Sequence, residues 1–148
     1  MADRHRLSER EVAGWLLKTS LPLDELSAGW QPGGTRRLER CLRRSYRLEL
    51  MRPGQPCLLW LSGRVEPGVH AVGTLTGRPR TDGEQPSVFV SLRRLEHPVD
   101  RADLLRSAGF ADAEVLRMPA GSNPSYVTAA QLAEVLALAA PGRSRVAS

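Results

Sequence analysis

Lysine is almost absent from this chain: of 21 basic residues in 148, only Lys18 is not arginine. Cysteine is nearly as scarce. Cys41 and Cys57 lie far apart, without the close pairing that a zinc site or a disulfide framework uses. They read as packing thiols in a reducing compartment. His5, His70 and His97 are scattered, and none has a Cys or His partner at metal-ligand spacing. No metal or other cofactor is therefore implied. No apolar run approaches the ~20 residues that span a bilayer. The opening MADRHRLSEREVAGW is charged where a signal peptide would be apolar. Neither a membrane nor export is expected, and the cytoplasm is the default location. Aromatic residues make up only 5%, so Trp15, Trp30 and Trp60 stand out.

With 148 residues, 41% of them hydrophobic, the chain suits one domain with its own core. The net charge of +5 is compatible with a polyanionic partner. An arginine excess beside abundant alanine, glycine and proline also follows from GC-rich coding, so the total decides little. The distribution says more, because Arg36, Arg37, Arg40, Arg43, Arg44, Arg47 and Arg52 fall within one segment.

The domain is expected over 12–140, with 1–11 and 141–148 as flexible tails. Residues 13–18 (AGWLLK) read as a buried strand and 22–26 (PLDEL) as one helical turn. Residues 29–34 form a loop. The arginine-rich stretch 35–51 carries Leu38, Cys41, Leu42 and Leu48 at roughly helical spacing. Strands are expected over 57–62, over the glycine-rich 68–75 and over 87–95, where Val88, Val90 and Leu92 alternate. A short helix over 100–108 and short strands at 113–118 and 126–127 follow. Thr128 and Gln131 predict a capping box for a last helix, with Leu132, Val135, Leu136 and Leu138 as its buried stripe and Pro141 and Gly142 as its stop. Many short strands with no crossover helices between most of them predict an α+β fold: a small β-barrel flanked by short helices and closed by a C-terminal helix.

Several strings, taken in order, carry a resemblance. Residues 14–20 (GWLLKTS), the acidic turn at 24–26, Trp30, residues 46–54 (YRLELMRPG), 57–62 (CLLWLS), 67–73 (PGVHAVG) and 126–128 (YVT) are similar to successive motifs of the EVE domain. The chain thus resembles this branch of the PUA-like superfamily over roughly residues 13–140. It departs in having arginine-rich sequence after Trp30, with Arg40 the nearest match to a family arginine. It also departs in the segment 118–128 (MPAGSNPSYVT), which lacks a close counterpart.

The resemblance implies a PUA-like barrel that receives a flipped, modified base of DNA or RNA between aromatic and polar side chains. Extruding a base costs a few kcal/mol, and stacking on an aromatic ring returns about 1–3. Trp30 and Trp60 are the stacking candidates, with Thr19, Ser20 and Ser62 at strand ends as partners for the base edge. Lys18, Arg40, Tyr46 and Asn123 complete the candidate ligand-binding set, and the arginine segment is placed to grip phosphates. The bland readings are core packing for Trp15 and Trp60, a turn for 122–125, and a solvated face for the arginines. The chain is read as a monomer and as a non-enzyme. Two alternatives are an ASCH-like amidohydrolase, with Lys18, Thr19 and one of Glu39, Glu49 or Glu66, and a PUA-like domain that binds RNA generally.

Overall fold

A computed structural model describes residues 6–140 of the chain. Six strands form one mixed sheet: β1 (Gly14–Thr19), β2 (Thr35–Cys41), β3 (Pro56–Leu61), β4 (Gly68–Leu75), β5 (Ser87–Asp100) and β6 (Ser125–Val127). Their order is β2-β5-β4-β3-β1-β6. β1 and β3 run parallel, and the other neighbouring strands run antiparallel. Four helices follow the chain as α1 (Leu23–Leu26), α2 (Arg101–Leu105), α3 (Glu114–Arg117) and α4 (Ala129–Ala139). The fold is α+β, as expected, but the sheet is open where a closed barrel was expected. Its edge strands β2 and β6 share no ladder. The chain beyond them meets through one backbone bond, from Arg43 N–H to Asn123 O at 2.9 Å. Pro124, just before β6, has no N–H with which to extend a ladder.

Alternation along the strands sorts the core onto both faces of the sheet. Trp15, Leu17, Cys57 and Leu59 join one cluster, while Leu16, Leu58 and Trp60 join the other. The first cluster is covered by α1, the Trp30 loop and residues 42–51; the second by α2, α3 and α4. β4 packs tightly on β5: a Cβ at Gly73 would sit 1.8 Å from Ser91 O, so this strand position admits only glycine.

Three expectations need correction. The arginine-rich stretch is no helix: it is edge strand β2, a turn, and a 3-10 turn over Tyr46–Leu50. Its exposed and half-buried residues alternate with the period of a strand, which the loose helical spacing concealed. Residues 113–118 are not a strand but contain the one-turn helix α3, in keeping with the helix-forming Glu114, Leu116 and Arg117. Residues 6–11, expected in a flexible tail, pack against the domain. Leu7 is buried in the first cluster, and Glu9–Glu11 form a 3-10 turn. The remainder of both expected tails, 1–5 and 141–148, lies outside the described residues, as does the stop at Pro141 and Gly142.

The capping box forms as expected. Thr128 Oγ1 accepts from Gln131 N–H, and Gln131 Oε1 accepts from Thr128 N–H. Val135 is buried and Leu132 and Leu138 pack on the second cluster, whereas Leu136 is exposed. No helix among the described residues is long and apolar enough to cross a membrane.

Candidate functional site

Two adjoining cavities open where the ends of the sheet's edge strands meet. The larger, about 660 Å³, lies between the turn after β2 (Arg43, Ser45, Tyr46, Arg47) and the segment between α3 and β6 (Met118, Gly121, Ser122, Asn123, Pro124). The smaller, about 300 Å³, lies beside the ends of β1 and β3, against Lys18, Thr19, Ser20 and Ser62. Gly121, Ser122 and Asn123 border both. The larger lies within the range of pockets that enclose small ligands.

Local sequence explains each wall. Ser45 caps the 3-10 turn, accepting from Arg47 N–H at 3.2 Å, which brings Tyr46 and Arg47 to the cavity. Tyr46 is fixed by its hydroxyl, which accepts from Leu7 N–H at 2.6 Å, and Arg6 lies 4.1 Å above its ring. Arg47 donates to both carboxylate oxygens of Glu114, at 2.8 and 2.7 Å, and to Pro124 O. Burial alone would push the Glu114 carboxyl up. The Arg47 hydrogen bond and charge, helped by Ser125 and Tyr126, instead hold it below the usual carboxylate range. The same pairing raises Arg47.

Asn123 does the work of a strand residue. The β1–β6 register, carried two steps beyond Leu16 and Ser125, places it opposite Lys18. Its side-chain Oδ1 accepts from Lys18 N–H at 2.8 Å and its Nδ2 donates to Lys18 O at 3.1 Å, continuing the ladder in place of backbone. The Lys18 ammonium reaches across the turn and donates to Met118 O, Pro119 O and Gly121 O. Burial pulls its pKa down; Glu114 opposes that shift and Arg47 adds to it. Lys18 and Asn123 thus shape the loop between the two cavities.

The structure brings together Lys18, Thr19, Ser20, Ser62 and Asn123, and sets Tyr46 in the adjoining cavity. It keeps the others away. Trp30 is 1% exposed in the first core cluster, its Nε1 donating to Gly34 O at 2.8 Å. Trp60 is 4% exposed in the second cluster, so the two rings lie on opposite faces of the sheet. The expected slot between Trp30 and Trp60 does not exist. Trp30 looked available because its neighbours in sequence are polar, but its apolar company comes from distant elements. Arg40 is half-buried beside Cys57, and its Nε finds no hydrogen-bond partner. It borders neither cavity.

The arginine run divides between structural and exposed positions. Arg36 ties down the loop carbonyls of Ala28 and Gly29, Arg37 stacks on Phe89, and Arg52 pairs with Glu9. Only Arg43 and Arg47 of the run line the larger cavity; Arg44 lines a third, of about 360 Å³, with Arg78. Sequence reasoning missed Glu114 and Ser45. The segment 118–128, whose departure from the family pattern falls at the expected pocket and which is dense in turn-building residues, does border both cavities through Gly121, Ser122 and Asn123.

No family model matches this chain, and no curated protein matches its sequence. Solved structures do. Rpa0253 from Rhodopseudomonas palustris is 17% identical, with a TM-score of 0.66 over 90% of this chain and 97% of that one. A hypothetical protein from Leishmania major is also 17% identical, with a TM-score of 0.63 over 88% and 96%. Human THYN1, solved in complex with DNA containing 5-methylcytosine, is 17% identical, with a TM-score of 0.59 over 88% and 99%. This chain has their fold. The shared fold here is an α+β one built on an open six-stranded sheet.

Proposed function

We propose that this chain is an EVE-like reader domain, over residues 12–140 with residues 6–11 packed against it, that takes a modified base of a nucleic acid into the adjoining cavities. One observation carries the reading. A cavity of base-admitting size, rimmed by Arg43 and walled by Tyr46 and an immobilised polar turn, occurs in a fold shared with a DNA-bound protein. Tyr46 replaces the tryptophans as the aromatic neighbour of the base, and Ser45, Ser122 and the turn's backbone supply polar partners for its edge. Arg43 and Arg44 face solvent, the first also donating to Ser122 Oγ and the second to Thr81 O and Gly83 O, and their remaining N–H groups are the ones this reading assigns to phosphates.

The reading is of binding without turnover. The amidohydrolase alternative needs a free lysine next to an available hydroxyl. Lys18 Nζ is instead held by three carbonyls, and Thr19 Oγ1 accepts from Leu21 N–H in a local turn. The carboxylate nearest to Lys18 in effect is Glu114, which is paired with Arg47; Glu39 accepts from Ser87 Oγ. Cys57 is wholly buried and its thiol is pushed up to about 12, leaving it neutral and a poor nucleophile.

Reversing the charge of Arg43 and Arg44 together tests the phosphate side of this reading. Binding to a short duplex should weaken, and the slope of log affinity against log salt should flatten by about 2. The preference for modified over unmodified base should survive. An unchanged slope would return both arginines to the solvated face and leave the cavity without a phosphate rim.

A further inference from the structure

Among the described residues, the large hydrophobic side chains left exposed are Leu21, Val65, Leu105, Met118 and Leu136. One of the five lines a cavity and two follow cavity residues closely along the chain. Met118 lines the larger one, Leu21 directly follows the cavity residue Ser20, and Val65 lies three residues beyond Ser62. The parallel pairing of β1 with β3 is the cause: it brings both strand ends to one side of the sheet, where Ser62 N–H donates to Thr19 O at 2.9 Å. Three residues of chain reach at most about 10 Å, so the tip at Val65 stays near the cavity wall.

Val65 is 77% exposed, the most of the five, yet its loop is built to hold it out. His70, itself buried, donates from Nε2 to Glu66 O at 2.7 Å, and Arg101 N–H donates to Pro67 O at 2.8 Å. Gly63 turns the chain at φ +116°, and Glu66 is held at φ +48°, a left-handed conformation that residues bearing a Cβ adopt only when their surroundings impose it. Exposed Arg64 and Glu66 flank the tip and cancel in charge. A loop pinned at its base that presents an apolar side chain to water, beside a cavity for a base, has the form of a wedge.

We propose that the β3–β4 loop, residues 62–67, enters a duplex and that Val65 fills the space left when a base turns out into the adjoining cavity. This rests on the base-reading function proposed above and extends it to the substrate: a paired strand, from which the base must be drawn. Extrusion breaks stacking on both sides of the vacated position, and an apolar side chain there restores part of it. A single strand offers no such gap, so Val65 matters only for the duplex. His70 is a positioning residue that fixes the loop.

The test compares wild type and Val65→Ser on two probes, a 12-base-pair duplex with one central 5-methylcytosine and its modified strand alone. Val65→Ser should bind the duplex about tenfold more weakly, the equivalent of one valine's apolar contact, and the single strand equally well. Val65→Leu should retain duplex binding. If Val65→Ser leaves both affinities unchanged, or lowers both alike, the wedge is refuted while the base-reading function stands. If wild type shows no preference for either modified probe over its unmodified form, the base-reading function fails and takes the wedge with it.

Discussion

Trp30→Ala is expected to lower the unfolding free energy by about 3–5 kcal/mol, the range for removing a fully buried aromatic ring. The ring is 1% exposed and packs in the cluster that includes Trp15, Leu17 and Leu59. Its Nε1 also fixes Gly34 O, so the substitution strips a bond from the loop that leads into β2. Urea denaturation at 25 °C measures this directly. Trp30→Phe, which keeps a six-membered ring but gives up the pyrrole portion with its N–H, should cost less than the alanine variant and leave nucleic-acid affinity intact. A Trp30→Ala variant of near-normal stability but lost binding would instead place this ring against ligand.

The second large effect belongs to the Arg47–Glu114 pair. Its side chains are 21% and 14% exposed, and Arg47 also holds Pro124 O, so the pair ties the turn after β2 to the segment before β6. Glu114→Ala leaves a half-buried guanidinium without its carboxylate and should destabilise by about 2–3 kcal/mol. The pH dependence follows from the lowered Glu114 pKa. A carboxylate held below its ordinary value stabilises the fold above the unfolded-state value near 4.5, and that contribution fades as pH falls through the folded-state value. Stability should therefore drop on acidification below about pH 4.5, and part of that drop should be missing in Glu114→Gln. Because the pair walls the larger cavity, Glu114→Ala should also weaken nucleic-acid binding at pH 7. Identical acid profiles for wild type and Glu114→Gln would show that the carboxylate titrates normally.

Much of the fold could be read from the chain because the patterns that specify it are local. The apolar runs of β1 and β3, the alternation of Val88, Val90 and Leu92 in β5, and the Thr128–Gln131 capping box each point to their own element. β2 was misread because it lies at a sheet edge: four of its seven residues are exposed and three are arginine, leaving no apolar stripe. The site was partly legible. Lys18, Thr19, Ser20 and Ser62 come together because two parallel strands end side by side, a relation the matched motifs suggested. Trp30 and Trp60 could not be assigned from their neighbours in sequence, since a ring's burial depends on which face of the sheet it meets. Glu114 was invisible for a related reason: Arg47, 67 residues away, is what gives it significance.

The central claim, that the adjoining cavities hold a modified base, is tested most directly by amide chemical-shift mapping. The protein is titrated with a 5-methylcytosine duplex and, in parallel, with its unmodified counterpart. The account predicts tighter binding to the modified duplex, with shifts that differ between the two titrations concentrated in residues 43–47 and 118–125. Equal affinity for both duplexes, with shifts confined to the outer edge of β2 and the same in each titration, would contradict it.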